Sequence, residues 1–235
     1  MASRDYLTVV KAAARLYRPA GRYPYYFALG KLGLDPVFPA LLSRGLIGEG
    51  ARILDLGCGQ GVLGALLVAA QSSFQTNGWP ADWPTPPHRW SLRGIELQDR
   101  LAGWGRLALR ERAQIETGDL RIAQIPDADV VVILDVLHYL DPNAQNRVLE
   151  QIARSLRGGG MLLLRVGDAR AGFRFRFTRW ADSISTLCRG QGLPAHHCRT
   201  TGDWRAALEA LGFTVQTESM SRGTPFANVL LIARC

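Results

Sequence analysis

Negative charge is in short supply in this 235-residue sequence. Twenty Asp and Glu stand against 28 Lys and Arg, a net charge of +8, and only Lys11 and Lys31 among the cations are lysine. That imbalance points to an acidic partner or surface, such as nucleic acid, anionic lipid or an acidic carrier protein, although arginine enrichment alone can arise from coding bias. Cysteine is scarce too. Cys58, Cys188, Cys198 and Cys235 make no C-x-x-C spacing, so nothing suggests a disulfide framework. His196, His197 and Cys198 adjoin, but adjacent residues seldom converge on one ion and no second ligand cluster accompanies them, so no metal is expected. No apolar run reaches the ~18 residues of a membrane span. The opening Met-Ala-Ser-Arg-Asp-Tyr lacks a signal-peptide layout, and a cytoplasmic location is expected. The length suits one α/β domain with a sizeable core.

The stretch around which the rest is arranged is residues 51–64, Ala-Arg-Ile-Leu-Asp-Leu-Gly-Cys-Gly-Gln-Gly-Val-Leu-Gly. Ile53, Leu54 and Leu56 read as a short buried strand. Gly57, Gly59 and Gly61 make a nearly bare turn, and Val62, Leu63, Leu66 and Leu67 continue with helical spacing. Strand, glycine turn and helix form a nucleotide-binding corner, because the bare backbone admits a ligand and free helix-start amides point at it. Asp55 ends the strand. An acid there would repel a pyrophosphate and attract an ammonium or sulfonium.

Asp55-Leu56-Gly57-Cys58-Gly59-Gln60-Gly61 resembles motif I of the class I S-adenosylmethionine (SAM) dependent methyltransferases. Gly59, Gly61 and Gly64 also fit the dinucleotide motif G-x-G-x-x-G, but that triplet begins two residues too late after the strand. The resemblance implies a doubly wound Rossmann-like α/β sheet ending in an antiparallel hairpin. It also implies S-adenosylmethionine as cofactor and S-adenosylhomocysteine as product. Asp55, Gly57, Cys58, Gly59 and Gly61 would cradle the methionine part.

The rest of the chain follows the same order. Leu92 to Glu96 is a second strand. Its terminal Glu96, with Leu97 after it, stands where the family holds the two ribose hydroxyls, and a carboxylate can accept both. Between them lies a proline- and tryptophan-rich insertion, residues 71–90, expected to pack on the surface rather than form regular structure. A helix over Asp99–Arg112 and a strand over Ala113–Glu116 lead to Gly118-Asp119-Leu120. There the resemblance implies that Asp119 bonds the adenine amino group and Leu120 lies against the ring. Asp129 to Leu134 is a β-branched run and so a doubly buried strand. It ends in Asp135-Val136-Leu137-His138-Tyr139-Leu140-Asp141, which resembles motif IV of small-molecule methyltransferases. The resemblance places Asp135 and Val136 beside the cofactor and Tyr139 at the pocket wall. His138 is the candidate general base, since an imidazole near its ordinary pKa of ~6.5 can take a proton from a phenol or hydroxyl. No Asn/Asp-Pro-Pro-Tyr/Phe signature and no Pro-Cys nucleophile appear, which argues against base methylation despite the charge. A helix over Asn143–Leu156, a glycine stop at 157–160, a strand over Met161–Val166, a helix over Asp203–Leu211 and strands over Phe213–Ser219 and Phe226–Arg234 complete the expected order.

Two regions lie outside that core. Residues 1–48 form a helical cap before a methyltransferase domain over 49–235, with Tyr6, Leu7, Val10, Ala14 and Tyr17 as an amphipathic stripe and a helix from Pro36 to Arg44. Tyr23, Tyr25, Tyr26 and Phe27 place four aromatics within five residues, either as a lid over the acceptor or as an anchor of the cap. Residues 167–200, with Arg165 just before them, carry Arg170, Arg174, Arg176, Arg179 and Arg189, interleaved with Phe173, Phe175, Phe177 and Trp180; the Arg/Phe alternation reads as a strand, followed by a helix. Tyr25, Tyr26, Lys31, Tyr139, Arg165 and Arg174 are therefore the candidate acceptor residues. Residues 26–38 look similar to methyltransferases of bacterial aryl polyene pigment pathways. That resemblance implies O- or C-methylation of a hydroxyaryl small molecule, free or held by an acidic acyl carrier protein. An RNA methyltransferase and a non-catalytic SAM-binding accessory protein are the alternatives. The sequence leaves oligomeric state open.

Overall fold

Most of the described strands and helices fall where the apolar spacing puts them. A computed structural model describes residues 4–167, 197–221 and 228–235. Its strands are β1 (Arg52–Leu56), β2 (Ser91–Glu96), β3 (Gln114–Thr117), β4 (Ala128–Leu134), β5 (Leu156–Gly167), β6 (Thr214–Ser219) and β7 (Asn228–Arg234), in the sheet order β3-β2-β1-β4-β5-β7-β6. The architecture is a mixed α/β, Rossmann-like sheet with antiparallel strands at one end. The chain groups into two compact units that divide within β4, Ala128–Val130 belonging with the first and Val131 onward with the second. The N-terminal helices belong to the first unit and do not separate from β1–β3.

In the first unit β1 pairs in parallel with β2, and β2 with β3. Helix α1 (Arg4–Arg15) buries Tyr6, Val9, Val10, Ala13 and Ala14, a full i, i+3, i+4, i+7, i+8 stripe, while Lys11 and Arg15 stay in water. Tyr6 donates its hydroxyl to the Leu32 carbonyl at 2.8 Å, fixing α1 against α2 (Arg22–Leu34). Helix α2 is a finding that the sequence pattern did not contain. Its residues are apolar on every side, so no periodicity betrays it, and Pro24 is tolerated because it sits in the first turn. Helix α3 (Val37–Ser43) begins where the Asp35 carboxylate accepts the Val37 amide at 3.1 Å. Helix α4 (Val62–Gln75) follows the glycine turn, and α5 (Asp99–Leu109) follows β2.

The proline- and tryptophan-rich insertion is packed, and against the first helix. The Trp83 ring lies 5.5 Å from that of Tyr6, Trp79 meets Trp83 edge to face at 5.6 Å, and Trp79 donates its indole N–H to the Pro84 carbonyl. The Glu49 carboxylate anchors the far end by accepting the His88 and Arg89 amides.

In the second unit β7 pairs antiparallel with both β5 and β6, so the closing hairpin forms as expected with its second strand inserted between the other two. Helix α6 (Pro142–Ser155) is capped by Asp141, which accepts the Asn143 and Ala144 amides at 3.0 Å. Helix α7 (Thr201–Ala210) starts in a reciprocal Thr200–Asp203 capping box. Strand β5 departs from expectation. It begins at Leu156, directly after α6, so the glycines at 158–160 belong to the strand. Among the described residues no helix is long and apolar enough to cross a membrane.

Candidate functional site

The first unit assembles the glycine corner. Gly57, Gly59 and Gly61 have φ of 74°, 58° and 75°, left-handed values that side chains with a Cβ resist, so the alternating glycines are demanded by the path of the turn. The Gly57 and Cys58 amides donate back to the Ile95 carbonyl at 2.7 and 3.2 Å, folding the turn over the end of β2. Gly94 makes this approach possible: a Cβ there would lie 2.7 Å from the Cys58 sulfur. Helix α4 starts at Gly61 with no side-chain cap, which leaves its first amides for a ligand. A Cβ at Gly59 would meet nothing within 4 Å, so the loop faces open space.

Two acids stand beside this loop. Glu96 is buried at the end of β2; its Oε2 accepts the Gly59 amide and its Oε1 the Gln98 amide, both at 2.9 Å. Those bonds orient the carboxylate and leave lone pairs on both oxygens. Asp55 is also buried, and among the described residues no hydrogen bond reaches its carboxylate. Burial, and then the Glu96 charge, push its carboxyl up to about 7. A buried carboxylate without a partner beside a second carboxylate is a costly arrangement that a cation would relieve. The site therefore fits a ligand with one positive group for Asp55, a vicinal diol for Glu96 and an anionic end for the α4 amides.

A third layer escaped the sequence reading. Tyr17, wholly buried, donates its hydroxyl to the Gln60 carbonyl at 2.8 Å, and the Gln60 amide nitrogen donates to the Pro24 carbonyl at 2.8 Å. The turn is thus stitched to both N-terminal helices. Burial, followed by the charges of Cys58 and Asp55, raises the Tyr17 phenol well above its usual range, which keeps it a donor. In the sequence Tyr17 shows only as the last residue of the N-terminal apolar stripe.

Asp119 and Leu120 lie after β3, where the Gly118 amide donates to the Glu96 carbonyl at 2.9 Å. Asp119 accepts the Arg121 amide and guanidinium, which hold its carboxyl below the usual range. Leu120 is buried, whereas Leu97 is largely exposed.

In the second unit the end of β4 is built differently. Asp135 sits at φ 61°, left-handed for a non-glycine, and its amide donates to the Arg165 carbonyl. Its carboxylate is ion-paired with Arg165, whose guanidinium is fully enclosed and donates through Nε at 2.9 Å. Val136 leads into a 3₁₀ turn over Leu137–Tyr139, which carries His138 with its ring 4.0 Å from that of Tyr139. The His138 carbonyl accepts the His197 amide at 2.9 Å. Gln145, buried on α6, donates its side-chain amide to the Leu137, Leu140 and His197 carbonyls and holds this turn in place. Sequence alone does not mark Gln145, which reads as one more polar residue of an amphipathic helix.

Of the remaining acceptor candidates, Tyr25 and Tyr26 lie on α2 in edge contact at 5.0 Å, and Lys31 forms an ion pair with Asp35 at 2.8 Å. Arg174, the strand expected at 173–177 and the helix after it lie outside the described residues. Among the described residues no group of three or more His, Cys, Asp or Glu could hold a metal ion.

Comparison with known proteins bears on the family and the fold. The family model described as "Methyltransferase domain" matches residues 35–218. A carboxy-S-adenosyl-L-methionine synthase from Chromohalobacter salexigens is 30% identical over 130 residues, 51% of this chain, and the match spans only 43% of that relative's length. Magnesium protoporphyrin IX methyltransferase from Synechocystis, solved with bound SAH, superposes with a TM-score of 0.59 at 17% identity, covering 99% of this chain and 98% of the other. An O-methyltransferase family 2 protein from Planctomyces limnophilus, solved with apigenin, gives a TM-score of 0.61 at 16% identity over 96% of this chain and 62% of the other. At those identities the two structures speak for the fold.

Proposed function

The chain belongs to the methyltransferase-domain family, and from that membership we propose that it transfers a methyl group from S-adenosylmethionine to a small-molecule acceptor. The observation that carries the reading is the pair of buried acids at the glycine turn, Asp55 with no hydrogen-bond partner among the described residues and Glu96 oriented by two backbone amides. When bound, S-adenosylmethionine supplies a methyl group on a positively charged sulfur, ready for in-line displacement. Asp55 with the bare turn from Gly57 to Gly61, Cys58 among them, holds the methionine end. Glu96 accepts the ribose hydroxyls, and Asp119, Leu120 and Leu97 take the adenine. Asp135, held by Arg165, sets the turn through Val136 that carries His138.

The chemistry asks mostly for positioning and exclusion of water. We assign His138 as the base that takes the acceptor's proton and Tyr139 as a wall beside it, with Gln145 keeping the turn in register. The acceptor we favour is a hydroxyaryl group, free or carried on an acidic acyl carrier protein, as the resemblance of residues 26–38 suggests. Calorimetry with S-adenosylmethionine and S-adenosylhomocysteine tests the cofactor: saturable binding that Glu96→Ala weakens is expected, and no heat with the wild-type chain defeats the reading. Tritiated-methyl transfer to fractionated cell extract tests the acceptor, with label expected in a hydroxyaryl acid or its carrier thioester.

A further inference from the structure

Helix α2 buries too little of itself. Its sequence, Arg-Tyr-Pro-Tyr-Tyr-Phe-Ala-Leu-Gly-Lys-Leu-Gly-Leu, is apolar on all sides, yet only Pro24, Ala28 and Leu32 are buried. A helix apolar all round is ordinarily enclosed. Here Tyr23 is 52% exposed, Tyr26 58% and Leu34 81%. The open face continues onto α5, where Trp104 lies 5.5 Å from the Tyr23 ring and Leu107 is also exposed.

Along the N-terminal helices the charge is mostly of one sign, and the one acid on α5, Asp99, is paired with Arg106 at 2.9 Å. From Arg4 to Leu34 there are six cations, Arg4, Lys11, Arg15, Arg18, Arg22 and Lys31, and one acid, Asp5. Lys31 is paired with Asp35. Arg4, Lys11, Arg15, Arg18 and Arg22 are exposed, and among the described residues no carboxylate pairs with any of them. Arg100, with no acidic partner there either, extends the cationic rim over the Trp104 ring at 4.7 Å, as Arg18 does over Tyr25 at 5.9 Å. Clusters of four to eight Lys and Arg beside an amphipathic helix are what attract anionic headgroups, and Tyr and Trp rings settle at headgroup depth.

We propose that this α2–α5 face docks the protein on an anionic lipid surface, with Tyr23, Tyr26 and Leu34 entering the headgroup region and the arginines contacting phosphates. The docking is independent of the transfer reaction. It goes beyond the expected soluble acceptor by placing the protein where a membrane-held molecule would meet it.

The test is co-sedimentation of the full chain with vesicles of phosphatidylcholine alone or mixed with phosphatidylglycerol. Partition onto the anionic vesicles is expected to exceed that onto neutral ones by about tenfold or more, and to fall with added salt. The Tyr23→Ser/Tyr26→Ser double variant and the Arg18→Glu/Arg22→Glu double variant should each lose about tenfold while still unfolding cooperatively and keeping cofactor binding, since none of the four side chains is buried. Equal partition onto both vesicle types overturns the proposal. So does wild-type binding by the tyrosine variant, which would mean diffuse charge adsorption without a docked face. A single-stranded RNA gel shift abolished by the tyrosine variant, with no vesicle binding, would assign the face to nucleic acid instead and also overturn it.

Discussion

Two strand ends carry an aspartate, and the protein treats them in opposite ways. At the end of β1, Asp55 meets no hydrogen-bond donor among the described residues, and burial, then the neighbouring Glu96 charge, push its carboxyl up to about 7. At the end of β4, Asp135 is held in a left-handed backbone and matched with an enclosed arginine. The first acid is kept electrostatically unsatisfied and can be completed by a cationic ligand. The second is completed by the chain itself and serves to fix the turn that follows. Residue type and topological place are the same; the partner decides whether an acid is for binding or for building.

The comparison breaks most severely at Arg165. Arg165→Met leaves the Asp135 carboxylate without its buried partner and should cost about 3–5 kcal/mol in chemical denaturation. Asp135→Asn combined with Arg165→Met should recover much of that loss, because no charge is then stranded.

At the other strand end, substitution should have the reverse effect on stability. Folding raises the carboxyl of Asp55, so the stability associated with its proton is fully present below the ordinary carboxylate range near pH 4. It is lost as pH rises through about 7. Asp55→Asn should therefore stabilise the ligand-free protein at pH 8, by about 2–4 kcal/mol, and leave it nearly unchanged at pH 4. The same variant should bind S-adenosylmethionine at least about tenfold more weakly at pH 8, and the wild-type loss of affinity below pH 7 should vanish in it. A pH-independent wild-type affinity measured by calorimetry would remove the distinction between the two aspartates.

Glu96→Gln sharpens the contrast. It keeps the shape but removes the charge that helps raise Asp55, so cofactor affinity should drop by about tenfold and the midpoint of its pH dependence should move lower. The smallest effect is expected from Tyr17→Phe, which deletes one buried hydroxyl bond to the Gln60 carbonyl. About 1 kcal/mol of stability should be lost, together with a modest weakening of cofactor binding if the N-terminal helices help to hold the turn.

The glycine corner could be read from residues 51–64 because its backbone path leaves no alternative: left-handed φ at every second position admits little besides glycine. The succession of strands along the chain was equally legible from apolar runs and their spacing, while the antiparallel ending was implied by the family resemblance. Helix α2 was not, since a segment apolar on every side has no period to detect. The start of β5 was missed because a glycine run reads as a stop even where the chain simply continues extended. Tyr17, Gln60 and Gln145 were invisible for a different reason. Each acts through backbone carbonyls that only the folded chain brings near, 43 residues away for Tyr17 and 52 for the most distant Gln145 bond.

The order β5-β7-β6 carries a consequence for biosynthesis. Residues 228–234 fill the gap between two strands made before them, so a nascent chain that has already emitted β6 still presents unpaired edges on both sides of that gap. Hydrophobic Leu162, Leu163 and Leu164 on β5 have no β7 partner during that interval. Such an edge is a template for pairing with a neighbouring chain. Until Asn228–Arg234 has paired, the gapped sheet would therefore favour aggregation, and chaperone demand should concentrate in that window.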